Sequence, residues 1–112
     1  MTDRELLELA AKAAGCDGLG QWDDKWNCLT DHEGWTFDPL NDDGDALRLA
    51  VKLGLDVCID SRQENEPYTH VIGFSDDNTS RTVDAIENHG DPYAATRRAI
   101  VRAAAEIGKV RT

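Results

Sequence analysis

Apolar residues recur at helical spacing in three parts of the chain, and polar residues mark where each part begins. The first part predicts a helix that starts at Thr2 or Asp3, either of which can act as its N-cap, and stops at Gly15. Its apolar positions follow the i, i+3, i+4 pattern of a helix with one buried face, and they are Leu6, Leu7, Ala10, Ala11 and Ala14.

Two further helices follow from the same pattern. One is predicted from about Asp43 to Leu53 and ends at Gly54. Its apolar stripe must pack on a sheet or on another helix. The stripe comprises Ala46, Leu49, Ala50 and Leu53, with Leu47 and Val51 alongside. The other opens with Asp91 as N-cap and Pro92 at the first helical position, where the missing N–H costs nothing. Its predicted inner face comprises Tyr93, Ile100, Ala104 and Ile107.

Between the helices the pattern predicts strands. They are expected near Trp26–Thr30, Trp35–Asp38, Asp56–Asp60 and Tyr68–Ser75, with a returning strand in "TSRTVDAIE". The chain of 112 residues fits a single domain, 1–112. We therefore expect an α+β fold in the order α-β-(β)-α-β-β-β-α, with one antiparallel sheet of four to five strands and three helices packed on it.

Acidic residues outnumber basic ones, 22 to 12, for a net charge of −10. Residues 17–91 hold 18 acids and 5 bases, a net of −13. Such a surface repels phosphates and anionic lipid, so we expect no direct nucleic-acid partner and no membrane partner. The N-terminus lacks the core of a signal peptide, which favours the cytoplasm. The acidity serves either solubility alone or the binding of a basic partner.

The segment "NDDGDALRLAVKLGL" resembles a calcium loop at first sight. With Gly44 at position six of an EF-hand loop, Asp43 and Asn41 fit positions five and three. Position one then falls on Pro39 and position twelve on Ala50, and neither supplies a side-chain ligand. The preferred interpretation is an acidic helix start, in which each carboxylate near the N-terminus contributes about 0.3–1 kcal/mol.

Cysteines and histidines offer two weaker candidates. Cys16, Cys28 and Cys58 are interpreted as free thiols; the alternative is a zinc site of Cys28 and His32 with Cys16 or His70, but a lone C-x3-H lacks the paired spacing of such sites. An enzyme is the other alternative, metal-dependent or histidine-based. It would use the region Asp38–Asp45 with His70 or His89, the latter close to Asp91. No nucleophile motif accompanies these residues, so no catalytic residue, metal or cofactor is predicted.

Two surfaces remain as candidates for binding. The tryptophan-rich segment, residues 22–37, is either a small core or an interface in which tryptophans stand beside acids. Its selected partner-binding residues are Trp22, Asp23, Asp24, Trp26 and Trp35. The second surface is a basic face of the last helix made of Arg97, Arg98 and Arg102, which either contacts a partner or is simply solvated.

Three blocks carry a resemblance to a known family. The blocks "MTDRELLELAAKAAG", "DPLNDDGDALRLAVKLGLDV" and "DPYAATRRAIVRAAAEIGK" look like small phage and prophage proteins of unknown function with a phage α-β-α (ABA) sandwich domain. The resemblance covers about half the chain and implies an accessory protein working in the host cytoplasm. It carries no catalytic or ligand residues.

The leading hypothesis is therefore a non-enzymatic protein that binds a host or phage protein, for example a host-defence or host transcription factor, through an acidic surface. A structural role in a homo-oligomer is a further possibility.

Overall fold

Three helices and six strands occupy the part of the chain that the computed structural model describes, residues 2–15, 21–23, 28–30, 36–60, 68–74, 82–88 and 91–110. The helices are α1 (Asp3–Ala13), α2 (Asp43–Leu53) and α3 (Pro92–Val110). The strands are β1 (Gln21–Asp23), β2 (Cys28–Thr30), β3 (Thr36–Phe37), β4 (Asp56–Asp60), β5 (Tyr68–Phe74) and β6 (Thr82–Asn88).

The strands divide between two antiparallel sheets of three strands each, ordered β1-β2-β3 and β4-β5-β6. The prediction of one sheet of four to five strands carrying all three helices is therefore wrong, although the α+β class agrees with the structure. The strands of the first sheet are only two or three residues long and form short ladders. The second sheet is built from longer strands of five to seven residues.

The helix ends confirm the capping signals in the sequence. Thr2 Oγ1 accepts a hydrogen bond from the N–H of Glu5 at 3.1 Å and starts α1. Asp91 Oδ1 accepts from the N–H of Tyr93 at 3.0 Å at the start of α3. Gly54 ends α2 in the left-handed conformation, at φ 63°, which glycine adopts without a Cβ penalty.

Helix α3 lies at the centre of the packing, in contact with α1, α2, β5 and β6. Its buried residues include the consecutive runs Ala99–Val101 and Ala103–Ala105, and successive helical positions point about 100° apart. The helix is therefore covered on most of its circumference, and not along a single face as predicted. Of the residues assigned to that face, Ile100, Ala104 and Ile107 are buried as predicted, whereas Tyr93 is 69% exposed.

Helices α1 and α3 approach each other closely at Gly108. A Cβ built on Gly108 would overlap the carbonyl oxygen of Leu9 and lie 2.8 Å from its carbonyl carbon, so only glycine fits there. Small residues continue the contact on both helices, among them Ala10, Ala11 and Ala104, all buried. The alanine-rich composition of these helices thus allows their backbones to approach closely.

The second sheet packs on α3 through one of its faces. Thr69 and Val71 of β5 are fully buried, and the hydroxyl oxygens of Thr69 and Thr96 lie 2.9 Å apart. Thr69, a buried polar side chain of this contact, is therefore hydrogen-bonded, as burial requires.

Within the described residues, no helix combines the length and the apolar character needed to cross a membrane.

Replacing Gly108 with alanine tests the α1–α3 contact. Because the new methyl group meets backbone and not a movable side chain, we expect Gly108→Ala to lower the free energy of unfolding by about 2 kcal/mol or more. Urea denaturation followed by circular dichroism measures the change. Gly44→Ala in α2 is the matched control, since its nearest neighbours are the flexible ends of Asp42 and Arg48 and the change removes a poor helix former. Equal stability of the two variants would contradict this description of the contact.

Candidate functional site

The acidic turn, defined here as Asp38–Asp45, leads from the first sheet into α2. Asp42 is the N-cap, because its Oδ2 accepts a hydrogen bond from the N–H of Asp45 at 2.8 Å. The side chain of Asp45 reaches back in turn, and its Oδ2 accepts from the N–H of Asp38 at 3.0 Å. The two bonds follow one another along the turn, from Asp38 to Asp45 and from Asp45 to Asp42. They differ from a capping box, in which the third helical residue accepts from the N–H of the N-cap itself.

Asp38 has an unusual environment within this turn. Its Oδ1 accepts a hydrogen bond from Asn41 Nδ2 at 3.0 Å, and its backbone carbonyl accepts from the N–H of Asp42 at 2.8 Å. Partial burial raises the pKa of the Asp38 carboxyl above its usual value, and the negative charges of Asp45 and Asp42 add to the rise, while the Asn41 hydrogen bond opposes it. Burial of the turn is therefore the main cause of the raised pKa, and the crowding of carboxylates at the helix start adds to it.

A single arginine ties the acidic turn to the central helix. Arg97 of α3 donates from Nε to the carbonyl oxygen of Leu40 at 2.9 Å and from Nη1 to Asp43 Oδ1 at 2.6 Å. Its side chain is only 17% exposed. One guanidinium therefore satisfies a turn carbonyl and an acid of the α2 first turn together, a use of its fork of donors that lysine does not match.

The other two residues of the predicted basic face differ from Arg97. Arg98 pairs across to α1, with Nη1 at 3.1 Å from Asp3 Oδ1, and its side chain is 43% exposed. Arg102 is half-buried on the same helix. Arg97 and Arg98 thus link α3 to α2 and α1, and this engagement within the chain favours a structural role for them over contact with an external phosphate or partner.

Further ion pairs engage basic residues elsewhere on the helices. Arg4 pairs with Glu8 at 2.9 Å, Arg48 with Asp45 at 2.5 Å, and Lys109 with Glu106 at 2.8 Å. Each pair joins two residues of the same helix, and such a pair typically stabilises its helix by a few tenths of a kcal/mol. Their main effect on the surface is that these positive charges are neutralised locally.

The tryptophan-rich segment contributes the first sheet. Trp22 and Asp23 lie on β1, where their register partners on β2 are Leu29 and Cys28. Strand β1 itself was not predicted from the sequence. Asp24, Trp26 and Trp35 lie outside the described residues, so the assignment of this segment to partner binding stays a prediction.

A cysteine and a histidine are register partners on the second sheet. Cys58 of β4 is a free, exposed cysteine, and its register partner on β5 is His70, which is half-buried. The sequence spacing did not predict this pair. His89, Cys16 and His32 lie outside the described residues, and Asp91 is used as the cap of α3. In the part of the chain with described side chains, no group of three or more His, Cys, Asp or Glu residues is arranged to hold a metal ion.

Several large apolar side chains are exposed, and sequence reasoning missed them. On α2, Leu47 is 64% and Val51 72% exposed, although both were expected beside the buried stripe. On β4, Val57 is 38% and Ile59 55% exposed. The one available signal was the motif "DVCID", since acids at both ends of a short apolar strand are typical of a sheet edge.

Comparison of the chain with protein-family models, with curated proteins and with solved structures finds no match in any of the three.

Substitution of Arg97 tests whether it holds the acidic turn. Since Arg97→Met removes charge-assisted hydrogen bonds to Leu40 and Asp43, we expect a loss of about 2 kcal/mol in the free energy of unfolding. Arg98→Met is the matched control, because the ion pair of Arg98 with Asp3 is more exposed and contributes about 1 kcal/mol at most. Equal losses for the two variants, measured by urea denaturation, would show that Arg97 has no special role.

Proposed function

We propose that this chain is a non-enzymatic binding protein that engages a basic protein through its acidic surface. In keeping with the resemblance of its three sequence blocks, it acts as a phage or prophage accessory protein in the host cytoplasm. Its partner is a host or phage protein. The observation that carries the proposal concerns the charged residues. Many basic residues pair with acids inside the chain, and the excess of acids remains on the surface.

The internal ion pairs of the described part engage a larger share of the 12 bases than of the 22 acids. The contacts of the described part engage Arg4, Arg48, Arg97, Arg98 and Lys109, each with an aspartate or glutamate. Because the chain holds 22 acids and 12 bases, every such pair leaves the same excess of ten acids and a smaller number of bases to offset it. The electrostatic field outside the molecule is therefore negative, because it arises mainly from acids that no base neutralises.

Such a field selects the class of partner. Nucleic acid and anionic lipid carry charges of the same sign and are repelled, whereas a basic protein surface is attracted over distances near the Debye length, about 8 Å at physiological salt. Charge of this kind raises the rate of association and rejects wrong partners more than it adds affinity. The affinity then comes from contacts at close range, and the tryptophan-rich segment supplies side chains suited to them.

The alternative is a metal-dependent or histidine-based enzyme using Asp38–Asp45 with His70 or His89. Asp42, Asp43 and Asp45 each have a structural contact that explains their presence, as cap, as partner of Arg97 and as tie to Asp38. The arrangement of the turn therefore favours the helix-start interpretation. A rise in melting temperature with a divalent cation, together with bound metal in the purified protein, would favour the enzyme instead.

Capture from host lysate tests the binding proposal. We expect the immobilised protein to enrich a basic protein at low salt and to release it at high salt, because screening removes the attraction between surfaces. Trp22→Ala with Trp26→Ala is expected to reduce capture at least tenfold if a tryptophan hot spot is lost.

Tyr93→Ala is the matched control for the tryptophan variant, since it removes an aromatic residue that is 69% exposed on α3. Circular dichroism verifies that both variants are folded. Capture of no basic protein at low salt, or capture that salt does not weaken, would contradict the proposal.

A further inference from the structure

Strand β4 occupies one edge of the second sheet, paired with β5 on one side. The first four residues of the strand are exposed: Asp56, Val57, Cys58 and Ile59. Val71, the register partner of Val57 on β5, is buried. An edge strand presents a row of backbone N–H and C=O groups to its outer side, and proteins commonly protect such rows with charge or a covering element. Within the described residues, charge at this edge is supplied by the aspartates at the two ends of the strand.

The two faces of the edge differ in chemistry. On the face toward α3, Val57 and Ile59 lie beside their register partners Val71 and Thr69, which are fully buried. The apolar layer under α3 thus extends to β4, where it becomes 38% exposed at Val57 and 55% exposed at Ile59. A further strand at this edge would cover both residues by placing apolar side chains opposite them.

The other face of the edge is acidic. The period of two along a strand assigns positions 56, 58 and 60 to this face, and the outer two are aspartates. A strand pairing with β4 places its own residues directly opposite these positions, where opposite charges stabilise the pair and like charges destabilise it. Lysine or arginine at both ends of the added strand therefore fits.

We propose that β4 is a site for strand addition by a partner whose strand alternates basic, apolar, any, apolar, basic. The basic residues lie opposite Asp56 and Asp60, and the apolar residues opposite Val57 and Ile59. Main-chain hydrogen bonds supply affinity, and the alternation of side chains supplies selectivity, as in other strand-addition complexes. The inference rests on the proposed function and locates the basic partner on one strand.

A second copy of the chain fits this edge poorly. Antiparallel pairing of two β4 strands about Cys58 sets Asp56 against Asp60 of the copy, twice, and parallel pairing in register sets each aspartate against itself. Both arrangements place like charges directly opposite each other between molecules that each carry a net charge of −10. The aspartates thus act against self-association while leaving the edge open to a basic strand.

A cyclised hairpin peptide with the outer strand Lys-Val-Thr-Val-Lys is a suitable probe, because its strand is already formed. Fluorescence anisotropy measures its binding to the full chain. The double variant Asp56→Lys with Asp60→Lys is expected to bind it at least about tenfold more weakly, since two attractive pairs become repulsive. The same variant is expected to bind a Glu-Val-Thr-Val-Glu hairpin about tenfold more tightly than the unmodified chain does.

Glu5→Lys with Glu106→Lys is the matched control, because it makes the same change in net charge on α1 and α3. We expect this control to keep its affinity for the lysine hairpin to within about twofold, as a distant charge affects mainly the rate of association. Equal losses in the two double variants would overturn the β4 site while leaving the proposed acidic surface in place.

The other outcomes are also decisive. The inference is overturned if the lysine hairpin does not bind. It is also overturned if the Asp56→Lys, Asp60→Lys variant still captures the basic protein from lysate. Dimerisation of the unmodified chain through β4, seen by analytical ultracentrifugation and lost in that variant, would assign the edge to a second copy. Strand addition at β4 is supported if the unmodified chain prefers the lysine hairpin and the Asp56→Lys, Asp60→Lys variant prefers the glutamate hairpin.

Discussion

The close contact of α1 with α3 is the constraint on which the other packing depends. Gly108 leaves room for the backbone of Leu9, and buried alanines extend the contact along both helices. With α1 held on one side, α3 has other sides available for α2 and for the second sheet, which it meets through Arg97 and through Thr96 opposite Thr69. A central helix covered on most sides requires small side chains, which explains why alanine dominates it.

The acids of this chain separate into two groups with different physical roles. Asp3, Asp42, Asp43, Asp45 and Asp91 cap helices or pair with arginines, and they are needed to build the molecule. The remaining acids are not required by these contacts and give the surface its negative charge. The acidic turn, which most resembles a metal loop in sequence, belongs to the first group, whereas Asp56 at the sheet edge belongs to the second.

Local signals predicted the helices well, and non-local pairing was not predictable from the sequence. Thr2, Gly54 and Asp91 act as the capping and stop residues that their chemistry indicates, because capping involves only neighbouring residues. The division into two sheets was missed because strands of two or three residues have too little periodicity to reveal their partners. The contacts of Arg97 were missed because they join residues more than fifty positions apart in the chain.

Amide hydrogen exchange of β4 tests most directly whether this acidic surface receives a partner at the sheet edge. The account predicts that a bound basic strand slows exchange at the amides of Val57, Cys58 or Ile59 that point away from β5, because new main-chain hydrogen bonds form there. The amides of α2 are expected to keep their rates. Protection that develops elsewhere on binding, with the β4 amides unchanged, would contradict the account.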